Sequence, residues 1–342
     1  MTGSKATPAG RPAGVAGQGA WPARPGPAAR PPCHADRAGV AMTATDGLVA
    51  AGLDPTAVED LVRRALAEDL AGGLDVTTAA TVPASRSDTA DLVARADGVV
   101  AGLPVAAAVF ELVGRAAADA TGDPVRVDLR AADGDPVRRG DVLATVTGPT
   151  RALLSAERTA LNLLCHLSGV ATTTAAWVAA VRGSGATVRD TRKTLPGLRA
   201  LEKYAVRCGG GTNHRMSLSD GALVKDNHVL AAGGVAKAFA AVRAAYPGLP
   251  VEVECDSVDD VREAVAAGAD EILLDNMPLD ALRAAVALTR PAGVRTEASG
   301  GLTLDRAAAV AATGVDFLAV GALTHSAPVL DIALDLHDPR GR

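Results

Sequence analysis

From residue 54 onward the chain is a succession of short apolar periods, and the period changes part-way along. "DPTAVEDLVRRALAEDL" places apolar residues at 58, 61, 62, 65 and 66 behind an Asp and a Pro, which predicts a capped amphipathic helix. "ADLVARADGVVAG" and "VRVDLRAADGDPVRRGDVLATVTG" read as strand-rich segments turned at Gly-Asp pairs. "LPVAAAVFELVGRAAA" lies between them as a helix. Residues 54–150 therefore predict a small α+β unit. "RALLSAERTALNLLCHLSGVATTTAAWVAAV" then predicts a long helical stretch, apolar at 153, 154, 161, 164 and 167, which Gly169 is expected to divide in two.

Beyond that stretch, short apolar strands alternate with Ala-rich helices. The strands are "ATVRD", "ALVKD", "VEVEC", "EILLD", "VRTEAS" and "DFLAVG", with helical stretches at 257–267, 279–288 and 303–313. Repeated β-α units imply parallel strands joined by right-handed crossovers, and hence an α/β barrel. No GxGxxG opens the first unit, which disfavours a dinucleotide-binding sheet. Residues 1–41 differ from everything after them: they hold seven of the 20 prolines and one acid, Asp36, with no hydrophobic period. They predict a disordered tail, with Met42 read as the natural initiator. The division expected is a tail at 1–41, an α+β domain at 42–150, and a helical connection with the barrel at 151–342.

Composition narrows the function classes. The chain is 342 residues long and 48% hydrophobic but only 2% aromatic, so Ala, Val and Leu must build the core. A net charge of −5 argues against general nucleic-acid binding, and no apolar run reads as a membrane span. Cys33, Cys165, Cys208 and Cys255 are scattered without a CxxC pair, which suits a reducing cytoplasm better than a disulfide or zinc framework.

Against that acidic background "DTRKTLPGLR" gathers Arg192, Lys193 and Arg199 where a strand stops, with Arg189 just before. The other strands also finish in polar or glycine residues: Lys225, Glu254, Asp275, then Ser299, Gly300 and Gly301, then Gly321. In an α/β barrel these ends converge on one face, where active sites are built. Thr191, Arg192, Lys193, His214, Arg215 and Lys225 suit a multiply anionic ligand, because Arg grips carboxylate or phosphate with a fork and Lys acts as a point charge. Glu254 and Asp275 suit ribose hydroxyls or a magnesium ion bridging phosphates. The glycine-rich ends offer unobstructed backbone N–H groups to a terminal phosphate. Arg199 and Lys203, on the helix after Pro196, read as supporting charges, more readily on a solvated face than in the site.

"ERTALNLLCHLSG", "DTRKTLPGLRALEKYAVRCGGGTNHR", "LVKDNH", "VEVECDS", "EILLDN", "ASGG" and "DFLAVGALTHS" together resemble the quinolinate phosphoribosyltransferases, over about residues 54–335. The resemblance implies an incomplete α/β barrel of parallel strands preceded by a smaller α+β sandwich domain. It implies transfer of phosphoribose from phosphoribosyl pyrophosphate to quinolinate, with decarboxylation and magnesium. It assigns Arg158, Arg192, Arg215 and Lys225 to the dicarboxylate and neighbouring phosphates, with Lys193 and His214 flanking them. Glu254 and Asp275 would meet the ribose and, indirectly, the metal through magnesium-pyrophosphate. Ser299, Gly300 and Gly321 would cradle the 5′-phosphate. It also implies a homodimer, or a larger assembly built from it, in which Arg158 enters the partner's barrel. The alternatives are a nicotinate-specific phosphoribosyltransferase, a relative associated with molybdenum transport, and a non-catalytic anion-binding barrel.

Overall fold

Two large sheets, one antiparallel and one parallel, and a two-stranded antiparallel ribbon organise the computed structural model, which describes residues 43–121 and 124–337. The expected tail at 1–41 and Met42 lie outside the described residues. The N-terminal part begins with three helices, α1 (Ala44–Ala50), α2 (Pro55–Leu70) and α3 (Val76–Thr81). Asp54 caps α2 as its sequence predicts, the carboxylate accepting from the Thr56 N–H at 2.9 Å, and Val58, Val62 and Leu66 form the buried stripe. Strands β1 (Ser87–Ala94) and β2 (Gly98–Val99) follow, then helix α4 (Leu103–Thr121), then β3 (Arg126–Leu129), β4 (Pro136–Val137) and β5 (Val142–Pro149). β1 and β3 pair antiparallel with β5, and α4 packs against β3 and β5.

Helix α5 (Thr150–Ala180) is continuous over 31 residues, so Gly169 does not divide it. A Cβ at Gly169 would lie 2.1 Å from the Pro328 carbonyl oxygen, so the glycine serves a close backbone approach to the later chain rather than a break. By length and composition alone α5 is long and apolar enough to cross a membrane, contrary to the sequence expectation. Its apolar content goes into the core instead. Leu153, Leu161, Leu164, Leu167, Val170 and Trp177 are buried, and the helix packs against α4, β2 and elements of the barrel.

The barrel runs β6 (Thr187–Arg189), α6 (Arg199–Cys208), β7 (Ala222–Val224), α7 (Asp226–Ala232), α8 (Val235–Ala245), β8 (Val251–Cys255), α9 (Val258–Ala266), β9 (Glu271–Asp275), α10 (Leu279–Thr289), β10 (Arg295–Ser299), α11 (Ala307–Ala311), β11 (Phe317–Ala319) and α12 (Ala322–His325). All six strands pair parallel, in the order β6-β11-β10-β9-β8-β7. β6 and β7 do not pair, so the barrel is open there. Thr212 partly lines the gap: its N–H donates to the Val188 carbonyl at 2.9 Å, and its carbonyl accepts from the Asp190 N–H at 3.1 Å. The last strand, β12 (Ile332–Leu336), pairs antiparallel with β1. The segment after the barrel, grouped with it in the sequence reading, thus completes the N-terminal sheet.

Candidate active site

A strand alternates its side chains with period two, so Glu252 and Glu254 share one face of β8, as do Glu271 and Asp275 on β9 and Glu297 and Ser299 on β10. That face points into the barrel. The lower members are fully buried and form a polar floor. The Arg189 guanidinium lies among them, 2.6 Å from Glu271, 2.7 Å from Glu297 and 3.4 Å above the Phe317 ring centroid. Arg189 is therefore not one of the cations at the barrel mouth. Ligand atoms of His214, Glu252, Glu271 and Glu297 lie within 4.8 Å of one another, a donor set of the metal-binding type. Arg189 already places a cation among those carboxylates. Burial, then the neighbouring Glu271, pushes the Glu252 carboxyl up to about 8. Burial, then Glu252, does the same to Glu297.

His214 stands on this floor. Its Nε2–H donates to Glu252 at 2.8 Å and its Nδ1 accepts from the Arg215 N–H at 2.8 Å, so both ring nitrogens have protein partners. Burial pushes its pKa down, which favours the neutral ring.

Helix α6 holds the two loops that carry most of the cations. Glu202 and Lys203, adjacent in sequence, are both fully buried, so Lys203 does not lie on a solvated face. Glu202 accepts from the Leu195 N–H at 3.1 Å and from His166 Nε2 at 2.9 Å, fixing the loop after β6. Lys203 pairs with buried Asp190 and donates to the His214 carbonyl at 3.0 Å. Asp190 also accepts from the His214 N–H at 2.9 Å and from Asn213 Nδ2 at 2.5 Å. Burial pushes Asp190 up and Lys203 down, while the Lys203 charge and the donors converging on the Asp190 carboxylate oppose the rise.

Above this scaffold the candidate residues meet at the strand ends. The Lys193 N–H donates to Thr191 Oγ1 at 2.9 Å, and the Lys193 carbonyl accepts from Thr324 Oγ1 at 2.8 Å, tying the β6 loop to α12. Gly321 lies against the Lys193 chain, where a Cβ would come within 2.9 Å. Arg192 has a buried Nε without a hydrogen-bond partner. Arg215 donates to the Gly221 carbonyl at 2.7 Å, and its guanidinium pKa is pushed down by burial first and by the Arg192 charge second. Lys225 Nζ donates to Glu254 at 2.6 Å. Ser299 pairs in register with Asp275, and Gly300 and Gly301 follow with φ of 84° and 59°. Arg199 braces the loop through Thr194 Oγ1 at 3.0 Å and the Met216 carbonyl at 3.1 Å. Arg158 stands apart on α5, largely exposed, 4.0 Å from Glu157.

The quinolinate phosphoribosyl transferase N-terminal domain matches residues 75–168 and the C-terminal domain residues 170–335. The chain belongs to the quinolinate phosphoribosyltransferase family. It is 55% identical over 282 residues to the carboxylating nicotinate-nucleotide pyrophosphorylase of Mycobacterium leprae, covering 82% of this chain and 97% of that one. It is 41% identical to the human protein of the same name, covering 83% and 93%. The solved structure of the nicotinate-nucleotide pyrophosphorylase from Francisella tularensis superposes with a TM-score of 0.77 at 34% identity, covering 83% and 98%.

For a quinolinate phosphoribosyltransferase, the floor is what strand-end reading alone overlooks. Its signal is still in the sequence. Glu252, Glu271 and Glu297 each lie two or four residues before a mouth residue on the same strand, so the period of two gives them the same inward face.

Proposed function

We infer that this protein transfers the phosphoribosyl group of phosphoribosyl pyrophosphate to quinolinate and decarboxylates the product. Nicotinate mononucleotide, pyrophosphate and carbon dioxide result, a step of de novo NAD synthesis. The observation that carries the choice of substrate is the pair Arg192 and Arg215. They are close enough for one charge to depress the other, they are held by buried scaffolding, and one offers a buried N–H without a protein partner. A dianionic ring relieves that repulsion, and two guanidinium forks match two carboxylates. A nicotinate-specific enzyme has one carboxylate to hold and needs fewer cations. A binding-only barrel has no use for Glu254 and Asp275 beside those cations.

The roles then follow from position. Arg192, Arg215, Lys193 and Lys225, with Arg158 from a second subunit, bind and orient quinolinate with its ring nitrogen facing the ribose. His214, with both nitrogens engaged, acts by holding Arg215 in place. Glu254 and Asp275 receive the ribose hydroxyls, and the turn Ser299–Gly301 with Gly321 receives the 5′-phosphate through backbone N–H groups. The ring nitrogen forms its bond to the anomeric carbon as the bond to pyrophosphate breaks. Charge grows on the departing pyrophosphate, and the lysines stabilise it. The carbon–carbon bond to the 2-carboxylate then breaks, carbon dioxide leaves, and a proton takes its place on the ring.

Magnesium suits the donor set in a limited way. Glu254 and Asp275 are hard oxygen donors, but Lys225 already occupies one Glu254 oxygen, so they would hold the ion mainly through pyrophosphate and water. When bound, it would neutralise charge on the leaving group.

Two variants test these roles. Lys225→Ala should abolish turnover. Glu254→Ala should raise the requirement for magnesium or phosphoribosyl pyrophosphate more than that for quinolinate. A Glu254→Ala enzyme impaired only toward quinolinate would reverse the assignment.

A further inference from the structure

Asn276 follows Asp275 at the end of β9 and is not among the residues the mechanism uses. Its backbone has φ of 52°, and only Ala71 shares a positive φ among the described non-glycine residues. Asn tolerates this left-handed region better than most residues, but the conformation still costs free energy and persists only where surroundings enforce it. Three contacts enforce it here. The Asn276 N–H donates to the Ser299 carbonyl at 2.9 Å. Its Nδ2 donates to Asp275 Oδ2 at 2.8 Å. Its side chain lies so close to the next turn that a Cβ on Gly300 would fall 2.5 Å from Asn276 Cγ and Oδ1.

These contacts join two parts of the site with different tasks. Asp275 faces the ribose, and Ser299–Gly301 faces the 5′-phosphate, so together they grip two ends of one sugar phosphate. The spacing between them must match that sugar. We propose that Asn276 is a positioning residue that sets this spacing: its amide orients the Asp275 carboxylate while its backbone and side chain fix the turn at Gly300. The proposal rests on the function inferred above. An Asn that merely closes a turn would have the same φ, but its amide would carry no preference for one substrate over the other.

The test uses Asn276→Gly, Asn276→Asp, Gly300→Ala and the double variant Asn276→Gly/Gly300→Ala. Asn276→Gly keeps the backbone conformation and loses the amide. Losing a hydrogen bond to a charged group should raise the KM for phosphoribosyl pyrophosphate about tenfold. The KM for quinolinate should stay within about twofold, because that substrate is held elsewhere. Asn276→Asp keeps the shape and loses the donor, so it should remain defective. Gly300→Ala should be damaging, and the factor by which it raises the same KM should shrink at least about fivefold in the Asn276→Gly background, where the clash is gone. The penalty for alanine at φ of 84° is common to both backgrounds and cancels in the cycle. Calorimetric binding of ribose 5-phosphate reads the same spacing without turnover, so the proposal is decided even if wild type fails to consume quinolinate. Equal rises in both KM values, full affinity in Asn276→Asp, or an additive cycle would each overturn it.

Discussion

Replacing Lys203 by methionine isolates the contribution of the scaffold beneath the cation loops. Lys203 and Asp190 are both fully buried, and they are joined to each other. The change leaves Asp190 with the His214 N–H and Asn213 Nδ2 but without its counter-charge. Breaking a buried pair by removing one partner costs about 3–5 kcal/mol, because the other charge stays desolvated. The two remaining donors place the expected loss at the lower end, about 3 kcal/mol. Asp190→Asn/Lys203→Met removes both charges, so it should cost less than the sum of the single changes by about 0.5–3 kcal/mol. Chemical denaturation followed by far-UV circular dichroism gives these losses. Quinolinate KM should rise in the surviving folded Lys203→Met enzyme, since Lys203 also fixes the His214 carbonyl beside Arg215. A Lys203→Met protein within about 1 kcal/mol of wild type, below the range for a broken buried pair, would refute the reasoning. A strictly additive double variant would do the same.

Other outcomes follow from the same geometry. Arg158 is exposed on α5, and we propose that it completes the site of a partner subunit, so co-expressed Arg158→Ala and Lys193→Ala chains should recover about one quarter of wild-type activity. Inactive mixed dimers would place Arg158 within its own chain or outside the reaction. The barrel floor predicts a falling stability above neutral pH. Glu252 and Glu297, raised to about 8, keep a proton in the folded state that the unfolded chain releases near 4.5, so the native state loses stability as pH climbs toward 8. His214, lowered from 6.5, offsets at most one of these two protons, and only below about 6.5, so the decline should steepen between about 6.5 and 8 and there amount to about 2 kcal/mol per proton. Glu297→Gln should flatten it in a thermal melt series, and an unchanged slope would contradict the assignment.

Much of this site is legible in the sequence because strand ends are. Apolar runs of three to five residues, each closed by a charge or glycine, locate six barrel strands and bring Lys193, Lys225, Glu254, Asp275 and Gly300 to one face. What sequence reading misplaces are charges whose burial depends on partners far along the chain. Lys203 looks like an exposed helical lysine until Asp190 is seen against it, 13 residues earlier. Arg189 looks like a mouth cation until Glu271 and Glu297, 82 and 108 residues later, close around it. Gly169 looks like a helix break because the Pro328 carbonyl that demands it arrives from the end of the barrel. Local pattern carries periodicity, whereas long-range pairing is a property of the folded chain alone.

The central claim is the choice of a dicarboxylate substrate, and one comparison tests it most directly. Purified protein is incubated with phosphoribosyl pyrophosphate, magnesium and either carboxyl-labelled quinolinate or nicotinate, and release of pyrophosphate and labelled carbon dioxide is followed. Quinolinate should yield both, with nicotinate mononucleotide as the remaining product, while nicotinate supports little or no pyrophosphate release. Equal or faster turnover with nicotinate would contradict the account.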